Sequence, residues 1–587
     1  AFFDSRNPKQ TRQQLNGSIY LDWNVFKGFT AHIDYALSFS NYFQKRADTP
    51  TGAAYDFQTG KDIGRYYVAD NVGVSDNNTT NYKTQLNGRL QYETTIAQNH
   101  NIGAMFVYSE EYWHTRSTGA SRNDRIHPST SEINAALTNV QSNSGSSASE
   151  GLRSYIGRMN YSAYDKYLLE FSFRVDGSSK FIKGHQYGFF PTVAVGWRFT
   201  EEEFLKKYLS SWLSSGKLRA SWGKLGDNSG VDRFEQLETL TAMNYMSSDV
   251  VKGFVNKKMI NKDLSWEVST DINVGLDLGF LNNRLRTEID FYNRLRTGMN
   301  RPSQMSIHLT GAYSAPRANI GDLLNRGLEL NLTWKDKIGN VEYSVNLNGA
   351  YNRTVLKEWN EFLSRGWVYL DMPYHFLYVY ENNGIAQTWQ DIYNNTPQGL
   401  SPGDVIRKDL NGDGIIDEKD KKAYPNIQRD RPTTTYGITL QAAWKGFDIS
   451  MLFNGGLGRK DFWLTDFNNT AFADRRYAST WDHWTEPWSL ENRGGEWPRL
   501  GTSTDRSDNS YWLYNMNYLR MKNIMLGYNL PKKLLSKISM TNLRIYASAE
   551  NLFTVTQYPG LDPEKKNSAR DLYPINRSFS IGLNVSF

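Results

Sequence analysis

The run Asp409-Leu410-Asn411-Gly412-Asp413-Gly414-Ile415-Ile416-Asp417-Glu418-Lys419-Asp420 has the residue types and spacing of a calcium loop. Asp409, Asn411 and Asp413 stand at positions 1, 3 and 5, so three side-chain oxygens can converge on one hard cation. Gly414 permits the sharp turn at position 6, Ile415 offers its carbonyl at position 7, and Asp417 stands at position 9. Position 12 is Asp420 where an EF-hand has Glu, a shorter arm for bidentate closure. No helical pattern flanks the run. Calcium here would stiffen a loop and would not drive a sensor hand. The competing reading is an acidic turn that holds no ion.

A second cluster lies in 459–500. Trp463, Trp481, Trp484, Trp488 and Trp497 stand among Asp482, His483, Glu486 and Arg499. Flat apolar faces beside carboxylates and a guanidinium suit sugar recognition, and loops on a rigid scaffold are where binding residues gather. The same tryptophans could instead pack a long loop or meet a partner protein. Tyr374, His375, Tyr378 and Tyr380 form a smaller cluster of the same kind.

Catalysis finds no support. The eight His are scattered, without HExxH or a pair at metal spacing. Ser142 to Ser149 reads as a mobile loop and not as a nucleophile elbow. Glu201-Glu202-Glu203 is more simply a helix start, with Thr200 and Glu203 as its capping box. Gly455-Gly456-Leu457-Gly458 ends a strand and cradles no phosphate. Zero cysteines exclude a disulfide scaffold, a thiolate metal site and a cysteine nucleophile. No enzyme is expected.

The elements that must position these clusters are strands. The chain has 587 residues, 39% hydrophobic, 22% charged and 14% aromatic. That is too apolar for disorder. No stretch nears the roughly 20 apolar residues of a membrane-spanning helix, and mean hydropathy is −0.62. A helical membrane protein is excluded. A β-barrel is not, because its strands are only half apolar. A net charge of +6 from 67 basic and 61 acidic residues is no nucleic-acid footprint.

Period-two alternation recurs throughout. Phe579, Ile581, Leu583, Val585 and Phe587 share one parity of the last strand, and Ser578, Ser580, Gly582, Asn584 and Ser586 the other. Phe579 and Phe587 bracket that strand and are read as the outer-membrane insertion signal. Hairpins are expected at 15–24 with 28–41, 82–94 with 99–109, 153–163 with 167–175, and 190–199 with 217–224. Further pairs are 272–280 with 285–291, 328–334 with 341–351, 436–444 with 447–453, and 519–530 with 541–552. Leu519 and Met521 have the wrong parity against Ile524, Leu526, Tyr528 and Leu530, so a bulge is expected there. Eight hairpins and a final strand make about seventeen strands. Connections within pairs are mostly short and those between pairs long, including 353–434 with the calcium-type motif and the Trp-rich 456–518. Short periplasmic turns and long extracellular loops are sorted that way in an outer-membrane barrel. Trp23, Phe280, Trp334, Trp444 and Phe447 beside the turns suit an interfacial girdle. The fold expected is all-β: an antiparallel transmembrane β-barrel.

If the last strand ends at the periplasm, the strand at 15–24 descends too, and residue 1 lies outside the cell. An even-stranded barrel then needs an odd number of strands ahead of it. The opening Ala1-Phe2-Phe3-Asp4, without an initiator Met, suggests a processed chain or a fragment.

Tyr167-Leu168-Leu169 leading to Asp176-Gly177-Ser178-Ser179-Lys180-Phe181 begins a series of segments that resemble one family. Gly188-Phe189-Phe190-Pro191, Gly196-Trp197-Arg198, Lys217-Leu218-Arg219-Ala220-Ser221-Trp222-Gly223, Asp263-Leu264-Ser265-Trp266-Glu267 and Asn325-Arg326-Gly327-Leu328-Glu329-Leu330 continue it. Tyr518-Leu519-Arg520-Met521-Lys522-Asn523, Leu526-Gly527-Tyr528, Glu550-Asn551-Leu552 and Phe587 complete it. Their order and spacing resemble the SusC/RagA-type TonB-dependent outer-membrane transporters of Bacteroidota along nearly the whole chain. The resemblance implies a 22-stranded barrel with an N-terminal plug, of which this chain would be the C-terminal part. Seventeen strands would leave five ahead of it, an odd number. It also implies TonB-driven import of an oligosaccharide or peptide beneath a SusD-like lipoprotein lid. TonB would act through a plug absent from this chain, so no residue is assigned to TonB contact. A passive porin-like or structural barrel and a soluble β-rich glycan-binding protein or hydrolase are the other readings.

Overall fold

A strand sends successive side chains to opposite faces, so alternate apolar residues can cover one face of a sheet. A computed structural model of the chain describes residues 9–47, 53–55, 62–65, 73–123, 130–137, 141–209, 211–246, 250–256, 258–310, 315–361, 369–373, 376–462, 486–499, 508–535, 540–565 and 575–586. Seventeen strands join one antiparallel sheet. They are β1 (Lys9–Phe26), β2 (Phe29–Ala47), β3 (Val74–Ile96), β4 (His100–Arg122), β5 (Gln141–Ala163), β6 (Tyr167–Ser178), β7 (Tyr187–Trp197), β8 (Leu213–Asp227) and β9 (Glu267–Phe280). The rest are β10 (Leu285–Thr297), β11 (Asp322–Ile338), β12 (Val341–Glu358), β13 (Thr434–Trp444), β14 (Phe447–Leu457), β15 (Tyr518–Asn529), β16 (Asn542–Thr556) and β17 (Ser578–Ser586). Every expected hairpin position is occupied by a strand.

The chain divides into two compact units. The first, residues 1–194, 223–269 and 298–319, holds β1 to β6 paired in chain order. The second, residues 195–222, 270–297 and 320–587, holds β10 to β17 paired in chain order. The tight turn from β13 to β14 is Lys445-Gly446, with φ of 47° and 92°. Two positive φ angles match the twist of the flanking strands.

Apolar rows face outward in both units. Ile33, Tyr35, Leu37 and Phe39 of β2 stay exposed, although β2 is laddered on both sides. In β17, Phe579, Ile581, Leu583 and Val585 are 73%, 86%, 62% and 41% exposed. A sandwich would bury such rows between its sheets. Apolar rows turned out from a hydrogen-bonded wall are what a lipid-facing surface requires. The opposite parity carries charge and amides. In the second unit Arg219 Nη2 reaches Asp277 at 2.7 Å and Asp290 at 3.0 Å. Arg544 Nε donates to Asp448 at 3.0 Å, and Asn346 donates to Asn331 at 2.7 Å. In the first unit the His32 ring lies between Asp22 (2.7 Å) and Asp34 (3.1 Å).

Aromatics gather at the short turns. Phe447 lies 4.4 Å from Tyr528, Trp212 lies 5.8 Å from Phe280, and Phe26 lies 5.0 Å from Phe29. The bulge falls where parity slipped, between Met521 and Asn523 of β15.

Three expectations are corrected. Ser142 to Ser149 is strand and not loop: it continues β5 and pairs residue by residue with β4 from Ser121 to His114. Small polar side chains carry no apolar signal, but the β4 edge supplies the ladder, and Ser121 and Ser142 hydroxyls meet at 2.8 Å. Thr200 caps no helix with Glu203. Its Oγ1 accepts from Gly216 N at 2.9 Å, and a 3-10 turn, Phe199–Glu201, precedes the helix Glu203–Leu209. The long loop expected at 353–434 is shorter, because β12 runs to Glu358.

Candidate functional site

The connections after β12 and β14 build a small layer of their own within the second unit. Phe376–Tyr380 pairs with Lys421–Gln428, Asn382–Ile385 with Val405–Arg407, and Lys460–Phe462 with Leu513–Asn515. Leu377, Val379, Phe462 and Trp512 are its buried core, with Tyr424, Trp497 and Tyr511 packed against them. Two loops far apart in sequence are thus held as one body by apolar burial.

The acidic run hangs from this body. Tyr378 donates its hydroxyl to Glu418 O at 2.8 Å. Asp409 accepts from Gly412 N at 2.6 Å, Gly414 N at 2.9 Å and Thr396 Oγ1 at 3.1 Å. Asp420, fully buried, accepts from Leu410 N and Asp417 N at 2.9 and 2.8 Å. Asn411 and Asp413 accept from Asp413 N and Ile415 N, each at 3.0 Å. Asp417 accepts from Lys419 N at 2.8 Å. Partial burial raises the Asp409 pKa, but the amides of Gly412 and Gly414 outweigh it and hold the carboxyl below its ordinary value. Among the described residues no three His, Asp or Glu side chains gather as a metal-holding group. A bound cation would have to draw these oxygens together.

The aromatic cluster is only partly described. Trp463, Trp481, Trp484, Tyr374 and His375 lie outside the described residues, as does Phe587. Trp488 is 7% exposed and its backbone N–H donates to Trp497 O at 2.7 Å. Its ring covers Gly403, whose φ is +92° and where a Cβ would come within 2.4 Å of Trp488. Packing accounts for Trp488, which offers no open ring face for a ligand. The Trp497 ring lies tilted, 6.2 Å from that of Trp512, and packs against the same core. Arg499 beside them donates to Asp404 at 2.8 and 3.2 Å. Burial raises the Tyr514 pKa to about 12, with Glu496 adding to it. Burial and the hydrogen bond to Glu381 push Tyr424 up to about 12.

Sequence reading missed the charges that tie the last loop down. Arg520 donates to Asp562 at 2.8 Å and also meets Glu564. Arg459 Nη1 donates to the carbonyls of Pro563 and Glu564 at 3.0 and 3.2 Å. Only Asp562-Pro563-Glu564 hinted at this, and single charges carry no spacing signal. Arg407 and Lys421 also flank the Tyr380 ring at 4.4 and 4.8 Å.

The family model described as TonB dependent receptor-like, beta-barrel matches residues 1–396. The chain belongs to this family. Family membership and the outward apolar rows place it in the outer membrane. Two relatives are 28% identical: TonB-dependent receptor P3 of Formosa agariphila, over 94% of this chain and 59% of that protein, and TonB-dependent receptor SusC of Bacteroides thetaiotaomicron, over 100% and 57%. The RagAB peptide transporter structure is similar in fold, with a TM-score of 0.82 at 22% identity, covering 100% of this chain and 63% of that one. The chain thus spans about three-fifths of these relatives' length. Both SusC and RagAB fall on the side of the family that the sequence resembles.

Proposed function

We propose that this chain forms most of the wall and the extracellular loops of a TonB-dependent importer of an oligosaccharide or peptide, working with a SusD-like surface lipoprotein. The supporting observation is the two-sided wall: exposed apolar rows on one parity and charged, amide-rich rows on the other. Such a wall separates lipid from a polar lumen. The loop body around Trp512 is a stiff platform on which a substrate or lid could rest, and Tyr378 and Trp497 are placed on it. Chemistry on the substrate forms no part of this reading. The test is uptake of labelled oligosaccharide and peptide mixtures by cells carrying the full-length protein, with and without TonB, joined to identification of copurifying lipoprotein. Uptake that stops without TonB supports import. Uptake indifferent to TonB indicates a passive channel and overturns the reading.

The acidic run is assigned a hard divalent cation such as calcium, with a structural role. Asp409, Asn411, Asp413, Asp417 and Asp420 with the Ile415 carbonyl supply only hard oxygen donors, which suits that ion.

A further inference from the structure

The outward row of β11 runs Leu324, Arg326, Leu328, Leu330, Leu332, Trp334 from the long-loop end to the short-turn end. The register sets Arg326 opposite Arg353 and Leu328 opposite Tyr351 on β12, and Arg326 opposite Asn293 on β10. Two guanidinium groups therefore interrupt an apolar outward face. Below them the face is open and apolar: Phe291 is 50%, Leu328 48% and Tyr351 48% exposed. Trp334, beside the short turn, lies eight residues from Arg326. That is about 26 Å along a strand and about 20 Å of height at the usual tilt, close to the roughly 25 Å of an apolar band. The arginines stand at the upper edge of that band, at headgroup level on the long-loop side.

A cavity of ≈ 430 Å³ opens there, lined by Arg326, Arg353, Lys357, Leu328, Tyr351 and Asp371 among others. Its three cations face one carboxylate, Asp371, which is ion-paired to Lys357. Among the described residues Arg326 donates only to the neutral Asn293, at 2.6 Å. Arg353 Nε is shielded from solvent and has no hydrogen-bond partner among the described residues. A buried charged donor without an acceptor is costly. An arginine fork matches a phosphate in geometry as well as charge, and basic pockets at membrane surfaces take phosphorylated headgroups.

We propose that this cavity binds the phosphomonoester of an anionic outer-leaflet lipid, with the acyl chains lying on Phe291, Leu328 and Leu330. The apolar rows continuous with the cavity favour a lipid over a protein carboxylate or a free anion, neither of which would cover them. The full-length protein is reconstituted in phosphatidylcholine nanodiscs containing phosphorylated lipid A, and retained lipid is counted by native mass spectrometry. Retention should fall about tenfold or more for Arg353→Ala, as loss of one charge-assisted bond implies. Arg353→Lys should keep part of it, and Arg326→Glu should abolish it. Heat-modifiable gel migration confirms that each variant is a folded barrel. Equal retention of dephosphorylated lipid A would overturn the phosphate assignment. Displacement of lipid A by inorganic phosphate at equal concentration would overturn the lipid assignment, as would a bound acidic polypeptide in its place. Unchanged retention in a folded Arg353→Ala barrel would overturn the site.

Discussion

Replacing Arg520 with methionine isolates one buried charge. Arg520 and Asp562 side chains are 3% and 2% exposed and meet at 2.8 Å. Arg520 also donates to Thr554 at 2.9 Å. Its other acidic partner, Glu564, is 31% exposed and keeps Tyr518 as a donor at 2.6 Å, so it can be rehydrated. Asp562 cannot. Its Oδ2 has no partner among the described residues, and its Oδ1 would keep only Glu564 N at 3.0 Å. Arg520→Met should therefore cost about 3–5 kcal/mol, the range for breaking a buried pair from one side. That is about two to three and a half powers of ten in the equilibrium for opening the loop. Hydrogen exchange of the amides at 558–565, read by mass spectrometry on the folded barrel, should speed up by such a factor while β16 stays protected. Removing both charges, Arg520→Met with Asp562→Leu, should recover most of the loss, because two apolar groups leave nothing stranded. Exchange in Arg520→Met within about threefold of the parent would place the pair in the weak, solvated class and refute the reasoning.

Other outcomes follow from the same structure. Ile581→Arg on the outward row should cost about 2–4 kcal/mol in folding into bilayers, while Asn584→Lys on the other parity should cost little, both read by denaturant titration in liposomes. Gly403→Ala should displace Trp488 and destabilise the loop body by about 1–3 kcal/mol, seen as a red shift in tryptophan emission. Asp409 has a depressed folded pKa, so its contribution is present above the ordinary carboxylate range and lost as pH falls through the folded value. Pepsin cleavage near 409–420 should rise on acidification, and Asp409→Asn should flatten that dependence. If the acidic run holds calcium, chelation should expose Lys419, Lys421 and Lys422 to trypsin and added calcium should protect them; equal cleavage in both would remove the cation assignment.

The wall was legible because lipid imposes a rule on every second residue. The rule even exposed the fault in β15, where Leu519 and Met521 changed parity around a bulge. The tops of β4 and β5 were not legible. There both faces meet water, so Ser142 to Ser149 showed no alternation although the ladder continues. The loop body was half legible. The tryptophans were recognisable as a cluster, but composition does not distinguish a ring that packs, such as Trp488, from one that faces a ligand. The pairing of Arg459 and Arg520 with the Asp562–Glu564 segment could not be read, because the partners lie about a hundred and about forty residues apart in sequence.

β3, β4 and β5 each run for 23 residues. Such a strand is about 76 Å long and rises well past an apolar band of about 25 Å. The surplus is bonded rung by rung into its neighbours, so it cannot flop as a surface loop would. Beyond the lipid this part of the first unit is therefore ladder and not loop, and backbone hydrogen bonds set its shape.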